Sequence, residues 1–339
     1  MKLLKKLYEI SSPSRNEQVM CKFIKSLLKG MNIDFTEDKV GNIYATKGES
    51  DTYPCIVCHT DEVHKVRSVG YKVVRHNDLM FAVNERTMEF EGIGADDKNG
   101  IWVCLKALSE IDVIKCAFFV SEEVGCIGSS NAEMEFFDDC RFVLQCDRKG
   151  NKDFIINASG AELCSHEFIE ACKIHEFGYE TQKGLMTDVM TLKEQGLSVS
   201  ACNISCGYYN PHTDNEMTCI SDLLNCYELV KSIIERCTDV YPHEPVLFYN
   251  KFNNSSEHKG LISKWFDDEE LNDYYSKSSV YAQYDEFDEM CDDMYNYSLE
   301  LGDEFKLDDF IASHGEFYPN LMREEYEFAC QDIFGCVMN

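Results

Sequence analysis

Apolar and polar residues recur along this chain with two periods, one helical and one extended. Leu3, Leu4, Leu7 and Ile10 fall on one helical face, and Ser11-Ser12-Pro13 stops that segment because proline has no N–H to continue the ladder. Ser14-Arg15-Asn16-Glu17 has the form of a capping box and predicts a second helix, with Val19, Phe23, Ile24, Leu27 and Leu28 facing inward and Gly30 ending it. Residues 35–38 and 41–46 read as a hairpin, as do 71–74 and 79–83. Short, largely apolar runs at 55–58, 114–120 and 142–146 read as strands, the second nearly continuous as in strands buried on both faces of parallel sheets, and 197–204 reads as a further strand. The helix predicted over 101–108 is apolar nearly all round and should lie against such a sheet. Shorter helices are predicted over 162–172 and from a Ser221 cap through Ile234. These elements imply an α/β fold: three α/β/α layers around a mixed, mostly parallel central sheet.

The chemistry gathers where the apolar runs stop. The first ends in His59-Thr60-Asp61, and residues two apart on an extended chain share a face, so His59 and Asp61 point the same way. A lone His-x-Asp is commonly a satisfied strand end, but this pair also suits a metal-binding imidazole steadied by a carboxylate. The second run ends in Ser121-Glu122-Glu123-Val124-Gly125, where neighbouring side chains point oppositely and two glutamates can do different work. The third ends in Asp147. Between them, Gly92-Ile93-Gly94-Ala95-Asp96-Asp97-Lys98 is a glycine turn opening the apolar helix, so its aspartates are either caps or ligands. A rigid loop, Gly207-Tyr208-Tyr209-Asn210-Pro211-His212, delivers another histidine. In open α/β sheets, ligands bind at the carboxyl ends of the strands, the edge these residues share.

Two divalent ions with a shared carboxylate need about three protein ligands each. The set fits: Asp96 as bridge, His59 and Asp147 on one ion, Glu123 and His212 on the other, Glu122 as base. Imidazole and carboxylate ligands without thiolates suit two Zn2+, with Co2+ or Mn2+ as substitutes. Cys55-x-x-Cys58 lacks a second pair and lies inside a strand, so it is no rival zinc site.

Composition narrows the partners. The 339 residues carry 61 acidic and 32 basic side chains, a formal charge of −29, which argues against nucleic acid or an anionic membrane as partner. Eighteen cysteines scattered through apolar stretches, with no signal-peptide core at the start, read as free thiols of a reducing, cytoplasmic setting. No run approaches the roughly 20 apolar residues that span a bilayer. From residue 246 the chain turns acidic and tyrosine-rich without strand signals, so a catalytic domain over 1–245 is expected to precede a mainly helical acidic extension over 246–339.

In order and spacing, His59-Thr60-Asp61, Gly92-Ile93-Gly94-Ala95-Asp96-Asp97-Lys98, Ser121-Glu122-Glu123-Val124-Gly125, Cys146-Asp147 and the loop to His212 resemble the co-catalytic di-zinc exopeptidases, a superfamily that includes peptidase T, aminoacylase and the zinc aminopeptidases. The likeness covers roughly residues 1 to 240. It implies that Asp96 bridges the metals, that Asp61 holds the His59 imidazole, and that Glu122 is the general base activating a metal-bound water. Peptidase T carries a separate lid domain after the position matching Asp147, and the short stretch from Asp147 to His212 leaves no room for one. A lidless catalytic domain is therefore expected, closer to the single-domain aminopeptidases, with its oligomeric state open.

The activity expected is that of an aminopeptidase or di/tripeptidase acting on small peptides, with Asp188 and Tyr208 as candidate substrate contacts. Carboxypeptidase action would want a committed arginine near the site, and none announces itself. An N-acyl amino acid deacylase is a rival within the fold. A metal-binding interaction protein without catalysis is a rival outside it, and the complete ligand and base set speaks against that.

Overall fold

The computed structural model describes residues 1–244 together with Ile311 and Ala312; the acidic extension expected from residue 246 lies outside the described residues. Seven helices are present among them: α1 (Lys2–Glu9), α2 (Gln18–Gly30), α3 (Ala95–Glu110), α4 (Ile127–Ser130), α5 (His166–Cys172), α6 (Asp188–Glu194) and α7 (Ile220–Arg236). Fourteen strands accompany them: β1 (Asp34–Glu37), β2 (Ile43–Lys47), β3 (Tyr53–His59), β4 (Tyr71–His76), β5 (Leu79–Asn84), β6 (Phe90–Glu91), β7 (Ile114–Phe119), β8 (Cys140–Arg148), β9 (Asp153–Ala158), β10 (Ala161–Glu162), β11 (Glu180–Gly184), β12 (Ala201–Ser205), β13 (Tyr208–Tyr209) and β14 (Met217–Cys219).

Nine strands form one mixed sheet in the order β1-β2-β7-β3-β8-β12-β9-β10, with β11 paired to β9. Its four central strands, β7-β3-β8-β12, run parallel. Their two-residue alternation divides the core. Ile56, Cys58, Cys116, Phe118, Phe142 and Leu144 pack into the larger hydrophobic cluster with α3. Cys55, Val57, Ala117, Phe119 and Val143 pack into the smaller one with Val189 and Leu192 of α6. Because both faces are covered, every residue of β3 and β7 is buried, the physical reason these runs carry no polar alternation. Helix α3 is buried nearly all round, as its composition predicts.

The segment between Asp61 and Asp96 is the hairpin β4–β5 plus β6, which joins β13 and β14 in a second, five-stranded sheet. All the strands from β9 to β12, between Asp147 and His212, belong to the main sheet, and no separate lid is inserted there.

Local signals diverged at three places. The capping box does not form: Glu17 itself precedes α2 without a side-chain capping bond, the Ser14 hydroxyl donates to Asp61 Oδ2 at 2.7 Å, and Glu17 Oε1 accepts from the amide and hydroxyl of Ser121. Ser221 lies inside α7, its amide and hydroxyl turned to Asp78. The segment 162–172 is helical only from His166, with Ser165 as cap. His64 is half-buried, with Nε2 2.9 Å from Glu216 Oε2. For Ser14, Glu17 and Ser221 a partner far along the chain outcompeted the local one. Among the described residues every cysteine is a free thiol, and all are buried except Cys219, which is half-buried.

Candidate metal centre

Strand β3 ends at His59, whose imidazole is 1% exposed. Its Nδ1 lies 3.1 Å from the main-chain oxygen of Asp61 and 3.3 Å from Asp61 Oδ1, which fixes the ring and turns Nε2 towards the carboxylates. Nε2 is 3.2 Å from Asp96 Oδ1 and 3.5 Å from Asp147 Oδ1. The other oxygen of Asp96 is 3.3 Å from His212 Nε2, which is itself 3.2 Å from Glu123 Oε1. Two three-residue groups with ligand atoms close enough for one ion result, His59/Asp96/Asp147 and Asp96/Glu123/His212, and Asp96 is common to both. A third, His59/Glu122/Glu123, overlaps them.

The turn before α3 distributes its two aspartates. Helical dihedrals start only after Asp97, the Asp96–Asp97 peptide is cis, and Asp97 Oδ1 accepts the amide of Gly100 at 2.9 Å. Asp97 is thus the helix cap, and its Oδ2 also accepts the His59 amide at 3.2 Å, tying the turn to the strand end. Asp96 faces the cluster. Its amide donates to Glu216 Oε1 at 3.1 Å, and Tyr208 Oη–H donates to its Oδ2 at 3.0 Å. Gly94 makes the turn feasible: its φ is +61°, and a Cβ there would sit 1.9 Å from Glu62 Oε2.

At the end of β7, Asp61 accepts the amides of Glu122 and Glu123, at 2.9 and 3.1 Å, which presents both glutamates to the cluster. Glu123 reaches His212. Glu122 Oε1 accepts the Cys126 thiol at 3.5 Å.

Asp188 and Tyr208 sit beside the cluster but are engaged within the protein. Asp188, at the start of α6, is fully buried and accepts Gln145 Nε2 at 3.1 Å, while its other oxygen has no partner. The buried Tyr208 uses its hydroxyl on Asp96. Four residues of this neighbourhood escaped sequence reading: Glu216, His64, Gln145 and Asn203. A polar residue interrupting an apolar run was the available signal for Gln145 and Asn203.

Packing acids together displaces their protonation. Burial raises Glu122 to about 8, against the opposing pull of His59, with Asp188, Glu123 and Asp96 adding to the rise. Burial also raises Glu123, Asp188 to about 6, and Asp147 well above the carboxylate range, the last helped by the charges of Asp96 and Asp97. Burial would raise Asp96 too, but the His212 and His59 imidazoles hold it far below the usual range. His212 rises to about 10 because Asp96 and Glu123 bond to it.

The donor set fits divalent cations. Carboxylate oxygens outnumber the donors facing them, Glu123 Oε1 is buried without a hydrogen bond of sound geometry, and positive charge at the two shared corners would balance the surplus.

No protein-family model and no curated protein matches the sequence. Solved structures do match in fold. An aminopeptidase PepT from Bacillus cereus superposes with a TM-score of 0.57 at 16% identity, over 69% of this chain and 96% of that one. A tripeptidase from Staphylococcus aureus gives 0.56 at 16% identity, over 70% and 97%. An aminopeptidase from the archaeon Desulfurococcus kamchatkensis gives 0.52 at 18% identity, over 69% and 94%. The chain therefore shares the fold of these peptidases.

Proposed function

We propose that this chain is a metal-dependent exopeptidase, an aminopeptidase or di/tripeptidase that removes residues from small peptides. The observation that carries the reading is the sharing of Asp96: its two oxygens face two different histidines, each within its own group of three ligands. A bridging carboxylate between two such groups is the arrangement of a two-metal hydrolase. The donor types favour zinc. We assign His59 and Asp147 to one ion, Glu123 and His212 to the other, and Asp96 to both.

When bound, the cation pair supplies Lewis acidity that polarises the peptide carbonyl and acidifies water. As ligands the carboxylates are ionised and the imidazoles neutral. Asp61 sets the His59 ring and, through two main-chain amides, the directions of Glu122 and Glu123. Glu122 is assigned as general base: it takes a proton as the water oxygen joins the carbonyl carbon, and returns it to the amine nitrogen as the C–N bond breaks. Asp188 and Tyr208 are assigned to shaping the substrate side of the cluster.

The occluded thiols suit a reducing compartment, so we place the activity in the cytoplasm; no helix among the described residues is long and apolar enough to cross a membrane. We also read residues 1–245 as the catalytic domain and 246–339 as a separate extension. The deciding experiment assays the zinc-loaded full chain, with and without chelator, on free-amine peptides, N-blocked peptides and acyl amino acids. Chelator-sensitive hydrolysis confined to free-amine peptides supports the assignment. Hydrolysis of acyl amino acids alone would replace it with a deacylase.

A further inference from the structure

Asp147 leaves the sheet at an irregularity. Strand β12 pairs Asn203 with Gln145 and then Ser205 with Arg148, so β8 carries one extra residue at Cys146-Asp147. The Asn203 side chain fills the gap this makes. Its Oδ1 accepts the Asp147 amide at 3.0 Å and its Nδ2 donates to the Asp147 carbonyl at 3.0 Å, standing where a neighbouring strand's peptide group would stand.

Gln145, two residues before Asp147, holds the side chain. It is fully buried and makes four hydrogen bonds: Nε2 donates to Asp147 Oδ2 at 3.0 Å and to Asp188 Oδ2 at 3.1 Å, and Oε1 accepts from the Thr187 hydroxyl at 2.6 Å and the Val189 amide at 3.2 Å. The amide cannot be turned over, because the Val189 N–H requires an oxygen opposite it. Thr187 Oγ1 in turn accepts Asn203 Nδ2 at 3.0 Å, closing the network.

We infer that Gln145 and Asn203 are positioning residues that lock Asp147 to offer one oxygen: Oδ2 is occupied by Gln145, and Oδ1 is left facing the point shared by His59 and Asp96. The proposal rests on the two-metal reading above. It adds that one of the two ion sites is held by a carboxamide pair touching no ligand of the other.

The test uses full-length wild type, Gln145→Glu and Asn203→Asp. Each substitution keeps shape and one acceptor while replacing the N–H groups that face Asp147. Metal-free protein is titrated with Co2+, followed by visible absorption and calorimetry, and thermal unfolding of the metal-free forms is recorded in parallel. The expected result is two ions in wild type and, in both variants, a loss of about 10–100-fold in the affinity of one site with the other unchanged. If Asn203→Asp does not fold, Gln145→Glu decides, since Gln145 acts through its side chain alone. Unchanged affinities at both sites overturn the inference, as does an equal fall at both sites together with a lower unfolding temperature, which marks a merely structural role. A wild type that takes up no cobalt overturns the two-metal reading itself.

Discussion

Asp61 accepts the main-chain amide of Glu122 at 2.9 Å, so the residue that steadies one expected ligand, His59, also aims the expected base. Its second oxygen serves Glu123 and Ser14. Asp61→Asn turns one of these acceptors into a donor facing another N–H, which costs on the order of 1–3 kcal/mol where the group is buried. Turnover should fall about 10–100-fold, with a lower unfolding temperature, as expected for a partner that orients a ligand. Steady-state kinetics beside a thermal melt measures both; wild-type turnover would remove Asp61 from the mechanism.

Glu122→Gln keeps the size of the side chain and removes its ability to take a proton. Activity on free-amine peptides should drop by about 10²–10⁴, the usual contribution of a general base. Metal content, measured by elemental analysis, should stay at the wild-type level. Normal activity in this variant would shift the proton transfer to another group.

Removing metal should cost stability as well as activity. Without cations the cluster sets half-buried Asp96 against both Asp147 and Glu123. An ion present at a hundred times its dissociation constant stabilises the folded state by about 2.7 kcal/mol. Chelation should therefore lower the melting temperature and abolish hydrolysis, and added Zn2+ should restore both. A melting curve indifferent to chelator and zinc would argue that no ion binds.

A second buried charge group should set the acid limit of the fold. Glu62 is buried between Lys98 Nζ at 2.7 Å and Arg67 Nη2 at 2.7 Å, and although burial opposes ionisation these cations hold its carboxyl down to about 2, from 4.5. Its stabilisation is complete above the unfolded value of 4.5 and disappears as pH falls through the folded value of about 2. The loss across that window is on the order of 3 kcal/mol. Burial, with the Arg67 charge, pulls Lys98 down to about 7 against the pull of Glu62, so the ion pair with the half-buried Arg67 is the firmer one; Glu62→Gln should destabilise the neutral protein by about 3 kcal/mol and should flatten the acid side of the stability curve. Urea unfolding at several pH values tests this; parallel curves for variant and wild type would refute it.

The sequence by itself determined the strands, the buried helix and the edge at which chemistry gathers. Strands covered on both faces must be apolar throughout, so β3, β7 and β8 announce themselves, and the first polar residues after such runs are bound to the same rim. His59, Glu122, Glu123 and Asp147 were legible for that reason. What it could not determine was pairing across the fold. Local rules made Ser14 and Glu17 a helix cap, gave Asp97 no partner of its own, and gave Gln145 and Asn203 no role, because periodicity fixes the face a side chain occupies and not the group it meets there. Those partners lie far along the chain, Asp61 for Ser14, Ser121 for Glu17, Glu216 for Asp96 and Asp147 for Asn203. Only the order in which the strands lie side by side brings them within hydrogen-bonding reach, and a buried polar group takes whichever partner that order supplies.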